Sequence, residues 1–552
     1  MHVFMTKFSY LKVLVLFLIP IIFILLIGRY GLEDSDSGFI VGLGWRIFNG
    51  ELPYKDFFYV RPPLSPYISA FYIWLTPNYG QVFFLRLINN YQLLFQVFLS
   101  LAILKKDYNF SKLNIDIYGF SALCYFITLS GTLYFQWHTT DGVFLAVLGI
   151  FLVYYFENNK FIYFFSGILF CASMLTKQNF MIIPFVSISL IFLQKGFSKS
   201  FIVFLGLITG LILFYSYLKH FNLVSDYLSL TSGASNLRDL FIAGFAFYFI
   251  KHEYLFFYFS IVIFCSLFFL YFKRKTSLFL FKLDNQVIIF FLSLSILFLF
   301  SVTYVFLFES RERVIAYDRV LPVLVILSFI YLLISSKELI KNHYTLLTLL
   351  SISWSSSISW GGMTPIMYFT PIVFLTYYIL KSHTKCLSIR NFNKVFFLII
   401  IIFSIIQAIV PYRNGFFWKS KNDGVLLSDK LAFIKVDDSF YEKHLEYKSL
   451  VIKYSNSTTL PSMPGASYLY SKNNPFIMDW SMDVESNYKT NELVENIKNC
   501  CHFVIVEKRN LGQPIGTSGK FYSSITSYVQ NNFKLIDESN FYFDVYKVSK
   551  NN

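Results

Sequence analysis

The chain has 552 residues, 56% of them hydrophobic and only 14% charged, with a mean hydropathy of +0.55. Ordinary globular proteins carry about a quarter charged residues, and a soluble protein of this composition could not cover its own surface with polar groups. A soluble enzyme, a disordered regulator and a disulfide scaffold are therefore excluded, which leaves an integral membrane protein. The net charge of +15 does not point to nucleic acid. The basic residues sit in short clusters between apolar runs: Lys105 and Lys106, Lys195 and Lys199, Lys273 to Lys275, and Lys381 to Lys394. Clusters of this kind are what the positive-inside rule leaves in cytoplasmic loops, and no basic stripe or recognition helix accompanies them. The cysteines lack metal-site spacing, and the adjacent Cys500 and Cys501 are expected to be structural thiols.

In chain order, the first apolar run, about Leu11–Ile27, follows Lys7, carries Lys12 at its head and lacks a small-residue cleavage site. That predicts an uncleaved first helix with a cytoplasmic N-terminus. Residues 29–80 form a long first outside loop containing Glu33, Asp34, Asp36, Arg46, Glu51, Asp56 and Arg61. Within it, Phe39, Val41, Leu43, Ile47 and Phe48 give a helical pattern too short and charged to span, as expected of an interfacial helix. Further spans are predicted at 82–104, 115–135, 143–156, 161–176, 179–194, 201–218, 254–272, 286–306, 320–336, 345–360, 366–380 and 395–411, about thirteen in all with the first. Alternation puts every lysine cluster in the cytoplasm. It puts the first loop, Gln136–Gly142, His220–Asp239, Glu309–Arg319 and the C-terminus outside.

From Pro411 onward Asp, Glu, Asn, Ser and Lys become frequent. Strand-like runs at Leu450–Tyr454, Phe503–Glu507 and Phe541–Val548 alternate with helix-like runs at Glu492–Lys498 and Tyr522–Gln530. The expected fold is thus a polytopic α-helical membrane domain, residues 1–411, followed by a small extracytoplasmic α/β domain, residues 412–552. The absence of an inverted repeat counts against a secondary transporter.

Ionisable residues at membrane depth are expensive and mark candidate sites. The densest acidic group is Glu33-Asp34-Ser35-Asp36, directly after the first span. Asp36 or Ser35 can cap the next helix, the acids can be a solvated loop end, and the Asp-x-Asp spacing is compatible with a divalent metal. Arg61, stiffened by Pro62 and Pro63, can make bidentate contacts to phosphate or anchor the loop at the headgroups. Lys177 lies between apolar runs and either pairs with phosphate or snorkels. His138 and Asp141 can orient an acceptor or link loops; no second histidine near His138 completes a metal site. The loop Glu309–Arg319, with Arg313, Tyr317 and Arg319, either holds an anionic head group or forms an ion-pair network. The polar stretch Ser353–Thr364 is a cavity lining or a site of close helix packing.

The run from Asp36 through Asn49-Gly50-Glu51-Leu52-Pro53-Tyr54-Lys55-Asp56 to Arg61-Pro62-Pro63 resembles the first extracytoplasmic loop of GT-C glycosyltransferases. These membrane enzymes use polyprenyl-phosphate sugars and include protein O-mannosyltransferases and the aminoarabinose transferase of lipid A. Gln136–Asp141 and the Leu175-Thr176-Lys177 segment are similar to further parts of the family pattern, and residues 10–200 carry most of the likeness. The chain departs from it at Ser37, where the family has a second acid that Asp34 can replace. The resemblance implies an inverting glycosyltransferase with its site on the extracytoplasmic face, a multi-pass protein of a bacterial plasma membrane. It implies a polyprenyl-phosphate-linked sugar as donor and a lipid, glycan or protein as acceptor. Asp36 and Asp34 would be the catalytic acids. Arg61, Lys177, Arg313 and Arg319 would bind the donor phosphate, and Asp56, His138, Asp141 and Tyr317 would support the acceptor. No metal ligand and no certain cofactor is assigned. A carboxylate at the lipid–water boundary can take the acceptor's proton, and cations can stabilise the leaving phosphate. A ligase or polymerase of lipid-linked glycans shares the basic pocket, and a flippase or transporter of polyprenol-linked sugars shares the spans.

Overall fold

The computed structural model describes residues 7–32, 36–129, 132, 134–232, 343–358, 367–383, 419–461, 463–483, 485–487, 489–508 and 523–549. Its membrane part is helical: α1 (Lys7–Phe23, running into a π turn at Ile24–Gly28), α2 (Asp36–Phe48), α3 (Leu64–Leu75), α4 (Gln81–Asp107), α5 (Ile117–Leu129), α6 (His138–Tyr155), α7 (Lys160–Met174), α8 (Ile182–Lys195), α9 (Phe197–His220), α10 (Val224–Thr231), α11 (Tyr344–Ser357) and α12 (Thr370–His383). Among the described residues, five helices are long and apolar enough to cross a membrane: Tyr10–Gly28, Gln81–Asp107, His138–Tyr155, Gln178–Lys195 and Phe197–His220. The spans expected at 115–135 and 161–176 appear as the shorter helices α5 and α7, of 13 and 15 residues. Those expected at 345–360 and 366–380 coincide with α11 and α12. The spans expected at 254–272, 286–306, 320–336 and 395–411 lie outside the described residues.

Local chemistry sets several helix ends. The Asn159 side chain accepts from the amides of Phe161 and Ile162 at the start of α7, and Gly196 separates α8 from α9 at a φ of 85°. Leu14, Leu26, Phe185 and Leu213 stay exposed on the outer surface of the bundle, as expected of side chains that face lipid rather than water. One end of the bundle gathers lysines with acids. Lys12 pairs with Asp116 at 3.0 Å, and Glu157 receives Lys106 at 3.4 Å and Lys195 at 3.0 Å. The first loop and the C-terminal domain occupy the other end. There the loop contains two helices rather than one, because Leu64–Leu75 forms a second apolar helix packed on α2.

The C-terminal domain carries α13 (Asp438–Lys453), α14 (Ala466–Leu469), α15 (Thr490–Cys500) and α16 (Ser524–Asn532). A two-stranded ribbon pairs β1 (Ser420–Asp423) with β2 (Lys435–Asp437), and a four-stranded sheet follows the order β3 (Ser457–Leu460), β4 (Phe503–Glu507), β6 (Phe543–Lys547), β5 (Lys534–Asp537). β4 runs parallel to β3 and antiparallel to β6. The strand expected at Leu450–Tyr454 is instead the last turn and cap of α13. The Asp437 carboxylate caps that helix by accepting from the Phe440 amide, and buried Phe440, Lys443, His444, Tyr447 and Leu450 recur at three- and four-residue steps. Period 3.6 therefore overrides the short apolar run at its end. Cys500 and Cys501, expected as thiols, are joined in a disulfide where α15 gives way to extended backbone at Cys501.

This domain is built into the membrane part rather than tethered to it. Leu427, Leu431, Val436, Phe440 and Leu469 share one buried cluster with Leu32, Val41, Val82 and Phe135. Gly31 donates to the Lys435 carbonyl at 2.7 Å, and the Lys435 amide donates back to Arg29 at 2.9 Å, so β2 continues into the first loop. Gly38 and Gly42 face the Pro464–Gly465 backbone so closely that a side chain at either would overlap it. Spaced four apart on α2, these glycines are what lets the C-terminal domain seat against the helix.

Candidate functional site

The first loop is folded so that Arg61 points into the molecule. Tyr54 adopts a φ of 73°, its amide donates to the Phe57 carbonyl, and its hydroxyl donates to the Arg61 carbonyl at 2.6 Å. The segment that follows is stitched to the turn after α7. The Leu64 backbone amide donates to the Leu175 carbonyl at 3.0 Å, and the Gln178 side-chain Nε2 donates to the Val60 carbonyl at 2.6 Å. These two bonds flank Arg61 on one strand of chain and Lys177 on the other. Two sites 116 positions apart in sequence, by the difference of their numbers, are thereby held beside each other.

Arg61 is 5% exposed, and its guanidinium is gripped end-on by a residue of the C-terminal domain. Nη1 donates to Glu485 Oε2 at 2.5 Å and Nη2 to Oε1 at 2.6 Å, a bidentate fork. The guanidinium also lies 5.4 Å from the centroid of the Phe39 ring. Burial opposes the charge of Arg61, but the carboxylate of Glu485 outweighs it and raises the group above its ordinary value. Lys177 is 6% exposed in the turn between α7 and α8. Burial, with the neighbouring Arg61 charge adding to it, pushes its ammonium down to about 7, against the pull of Glu485 and Asp36.

Asp36 opens α2 and is 8% exposed. It acts electrostatically on both Arg61 and Lys177, so one carboxylate faces two cations. Its position in the first turn of α2 also suits a negative charge to the helix dipole. His138 starts α6 and lies tilted on Trp137, with ring centroids 4.2 Å apart. Lys177 and Arg61 both act on it electrostatically, and its Nδ1 is buried with no hydrogen-bond partner among the described residues. Asp36, Arg61, Lys177 and His138 are thus brought into one buried neighbourhood at the end of the bundle that carries the first loop.

Two further expected residues each make hydrogen bonds within the fold. The Asp56 carboxylate accepts from the Leu52 amide at 2.7 Å and its carbonyl accepts from Arg46 at 3.2 Å, which makes it a fastening of the loop turn. Asp141, fully buried, accepts from Gln92 at 2.9 Å and from Gln136 at 2.8 Å, and so ties α4 to the entrance of α6. Asp34, Arg313, Tyr317 and Arg319 lie outside the described residues. No three His, Cys, Asp or Glu side chains among the described residues are grouped so as to hold a metal ion.

Sequence reasoning missed the partners contributed from the far end of the chain. Glu485 holds Arg61, and Asp479 pairs with Arg46 at 3.2 Å. Trp480 packs edge-on against Phe39 at 4.9 Å. Tyr59 lies 6.2 Å from Phe39, within electrostatic reach of Arg61 and Glu485, and burial pushes its phenol up. The Tyr59 hydroxyl and Trp480 Nε1 are buried without a hydrogen-bond partner among the described residues, like His138 Nδ1. No spacing in the sequence signals these residues, since each is defined by a fold-level contact. No family model, curated protein or solved structure matches the chain.

Proposed function

We propose that the protein is an inverting membrane glycosyltransferase of the GT-C type, which moves a sugar from a polyprenyl-phosphate donor to a lipid, glycan or protein acceptor on the extracytoplasmic face. The observation that carries this reading is the convergence of the Asp36 carboxylate with the Arg61 and Lys177 cations in one buried neighbourhood. The chemistry needs both signs. The cations stabilise the negative charge that gathers on the departing lipid phosphate. The carboxylate accepts the acceptor's proton as its oxygen attacks the anomeric carbon from the opposite side. Buried Tyr59 and His138, which act electrostatically with these cations, carry polar atoms with no partner among the described residues, which suits a hydroxylated ring.

The reading includes about thirteen spans, a cytoplasmic N-terminus beside the lysine-rich end, and residues 412–552 outside. The grouping of Lys12, Lys106 and Lys195 at one end of the bundle supports that orientation. Mass spectrometry of lipid-linked sugars and surface glycans in cells with and without the protein tests it. A donor should accumulate in its absence while one glycan loses a sugar. Unchanged donor pools and glycans would overturn the reading. Reporter fusions at Lys195 and Asn552 test the topology, and a cytoplasmic signal from the latter would overturn the orientation.

A further inference from the structure

We propose that Glu485 is a resident anion of the donor-phosphate site, which the lipid-linked phosphate displaces from Arg61 when the donor binds; this rests on the reading of the site given above. Glu485 presents two oxygens to Nη1 and Nη2 of Arg61 at 2.5 and 2.6 Å. A phosphodiester offers two unesterified oxygens in the same planar recognition mode. The carboxylate therefore fills the position that the fork would otherwise offer to phosphate.

Charge balance decides between sharing and replacement. Among the described residues, Arg61 and protonated Lys177 carry the positive charge of this neighbourhood, and Asp36 and Glu485 carry the negative. A phosphodiester monoanion added to that balanced set would bury an uncompensated charge. The same anion exchanged for Glu485 leaves the balance unchanged once the displaced carboxylate, still buried, takes up a proton from solvent.

The C-terminal domain need not undock for this exchange. Asp483 is anchored independently by the Ser524 amide at 2.7 Å, and Asn487 donates to the Ser229 carbonyl at 3.1 Å on the other side. The backbone around Glu485 is held at both flanks while its side chain reaches across to Arg61. The buried Tyr59 hydroxyl and Trp480 Nε1, which have no partner among the described residues, lie on the same aromatic cluster around Phe39 and would meet hydroxyls of the sugar attached to the arriving phosphate.

The test compares binding of decaprenyl phosphate in phosphatidylcholine nanodiscs, at about pH 5 where the phosphomonoester is largely a monoanion, to the full-length protein and to Glu485→Gln. Removal of a competing charge-assisted fork predicts binding about tenfold tighter or more for the variant. Decaprenol, which lacks phosphate, should bind both proteins alike. Weaker or unchanged decaprenyl phosphate binding by Glu485→Gln would overturn the proposal and make Glu485 a support for Arg61. A gain shared by decaprenol would overturn it as well. Glu485→Asp keeps the charge but is one methylene shorter, so it guards against a folding defect; an intermediate gain is expected, and a loss of affinity counts against displacement. If wild type itself does not bind decaprenyl phosphate, the glycosyltransferase reading falls and this inference with it. Binding by wild type without a gain in either variant removes the displacement alone.

Discussion

Arg61 and Glu485 stand 424 residues apart in the chain and meet through two hydrogen bonds inside the protein. A second arginine of the same loop does likewise, since Arg46 reaches Asp479 at 3.2 Å and the Phe476 carbonyl at 2.9 Å. The segment from Phe476 to Glu485 is therefore a counter-surface to the first loop. Both these arginines of the first loop are thus held by that one segment of the C-terminal domain.

Arg46 gives a structural test of that dependence. It is 3% exposed, pairs with Glu51 at 2.6 Å and with Asp479, and carries no role in the proposed chemistry. Arg46→Met should cost about 3–5 kcal/mol, because it strands Asp479 as an unpaired buried charge. The double variant Arg46→Met, Asp479→Leu should recover most of that loss. Thermal unfolding of the purified protein in detergent measures both. Equal melting of the single and double variants would show that the pair is not coupled.

Gly42 tests the seating of the C-terminal domain on α2. Its neighbour is the Pro464 carbonyl oxygen, a backbone atom that cannot swing aside. Gly42→Val should therefore separate the helix from Pro464–Gly465 and destabilise the protein by about 1–3 kcal/mol or more. Limited proteolysis should release a C-terminal fragment faster than from wild type. Gly50, which has open space where a side chain would go but a φ of 92°, should respond through strain alone and leave the docking intact.

The membrane character, the helices of the first half and the α/β nature of the C-terminal domain were legible because each rests on local pattern. The helix over Thr490–Cys500 follows a 3.6 periodicity and the strand Phe503–Glu507 is a short, β-branched apolar run buried over most of its length, signals that need no distant partner. Leu450–Tyr454, expected as a strand, is helical because its Leu-Val-Ile run ends the longer amphipathic period of α13 that contains it. Asp36, Arg61, Lys177 and His138 were legible as costly polar residues beside apolar runs. Their mutual arrangement was not, because it depends on the backbone bond from Leu64 to Leu175 and the side-chain bond from Gln178 Nε2 to the Val60 carbonyl. Glu485 had no signal at all. One acid among many in a polar domain becomes part of the site only through the docking of that domain.

Lys177 predicts a pH dependence with a definite sign. In the folded protein its ammonium is pushed by burial, and then by Arg61, from 10.5 down to about 7. Between those values the unfolded chain holds a proton that the folded protein lacks, so this group's contribution to stability rises with pH through the window. The destabilisation is fully present below about pH 7 and gone above the unfolded value near 10.4. Lys177→Met should accordingly be more stable than wild type at pH 6, with the advantage fading towards pH 10. Donor binding should move oppositely, because only the ammonium attracts phosphate: wild-type affinity should fall as pH rises through 7, and the variant's should stay flat. A flat wild-type profile would remove Lys177 from the phosphate site.

Asp36 carries the sharpest functional prediction. It opens α2, is 8% exposed, and faces Arg61 and Lys177 together. Asp36→Asn keeps the shape and can still serve a helix start, so the fold should survive, although losing one of the acids that offset Arg61 and Lys177 should cost about 1–3 kcal/mol. Loss of the proton acceptor should nevertheless lower turnover by about 10²–10⁴-fold. Donor binding should survive, because removing a negative charge beside two cations makes the neighbourhood more attractive to phosphate, not less. The measurement is the rate of sugar transfer from a polyprenyl-phosphate donor, set beside binding of the same donor to the same variant. Asp34→Asn, at a position outside the described residues, separates the two acids. A comparable loss there would mean that Asp34 supplies the acid missing at Ser37, and a small one that Asp36 acts alone. An Asp36→Asn protein that binds donor and transfers sugar at the wild-type rate would reduce Asp36 to the first residue of a helix.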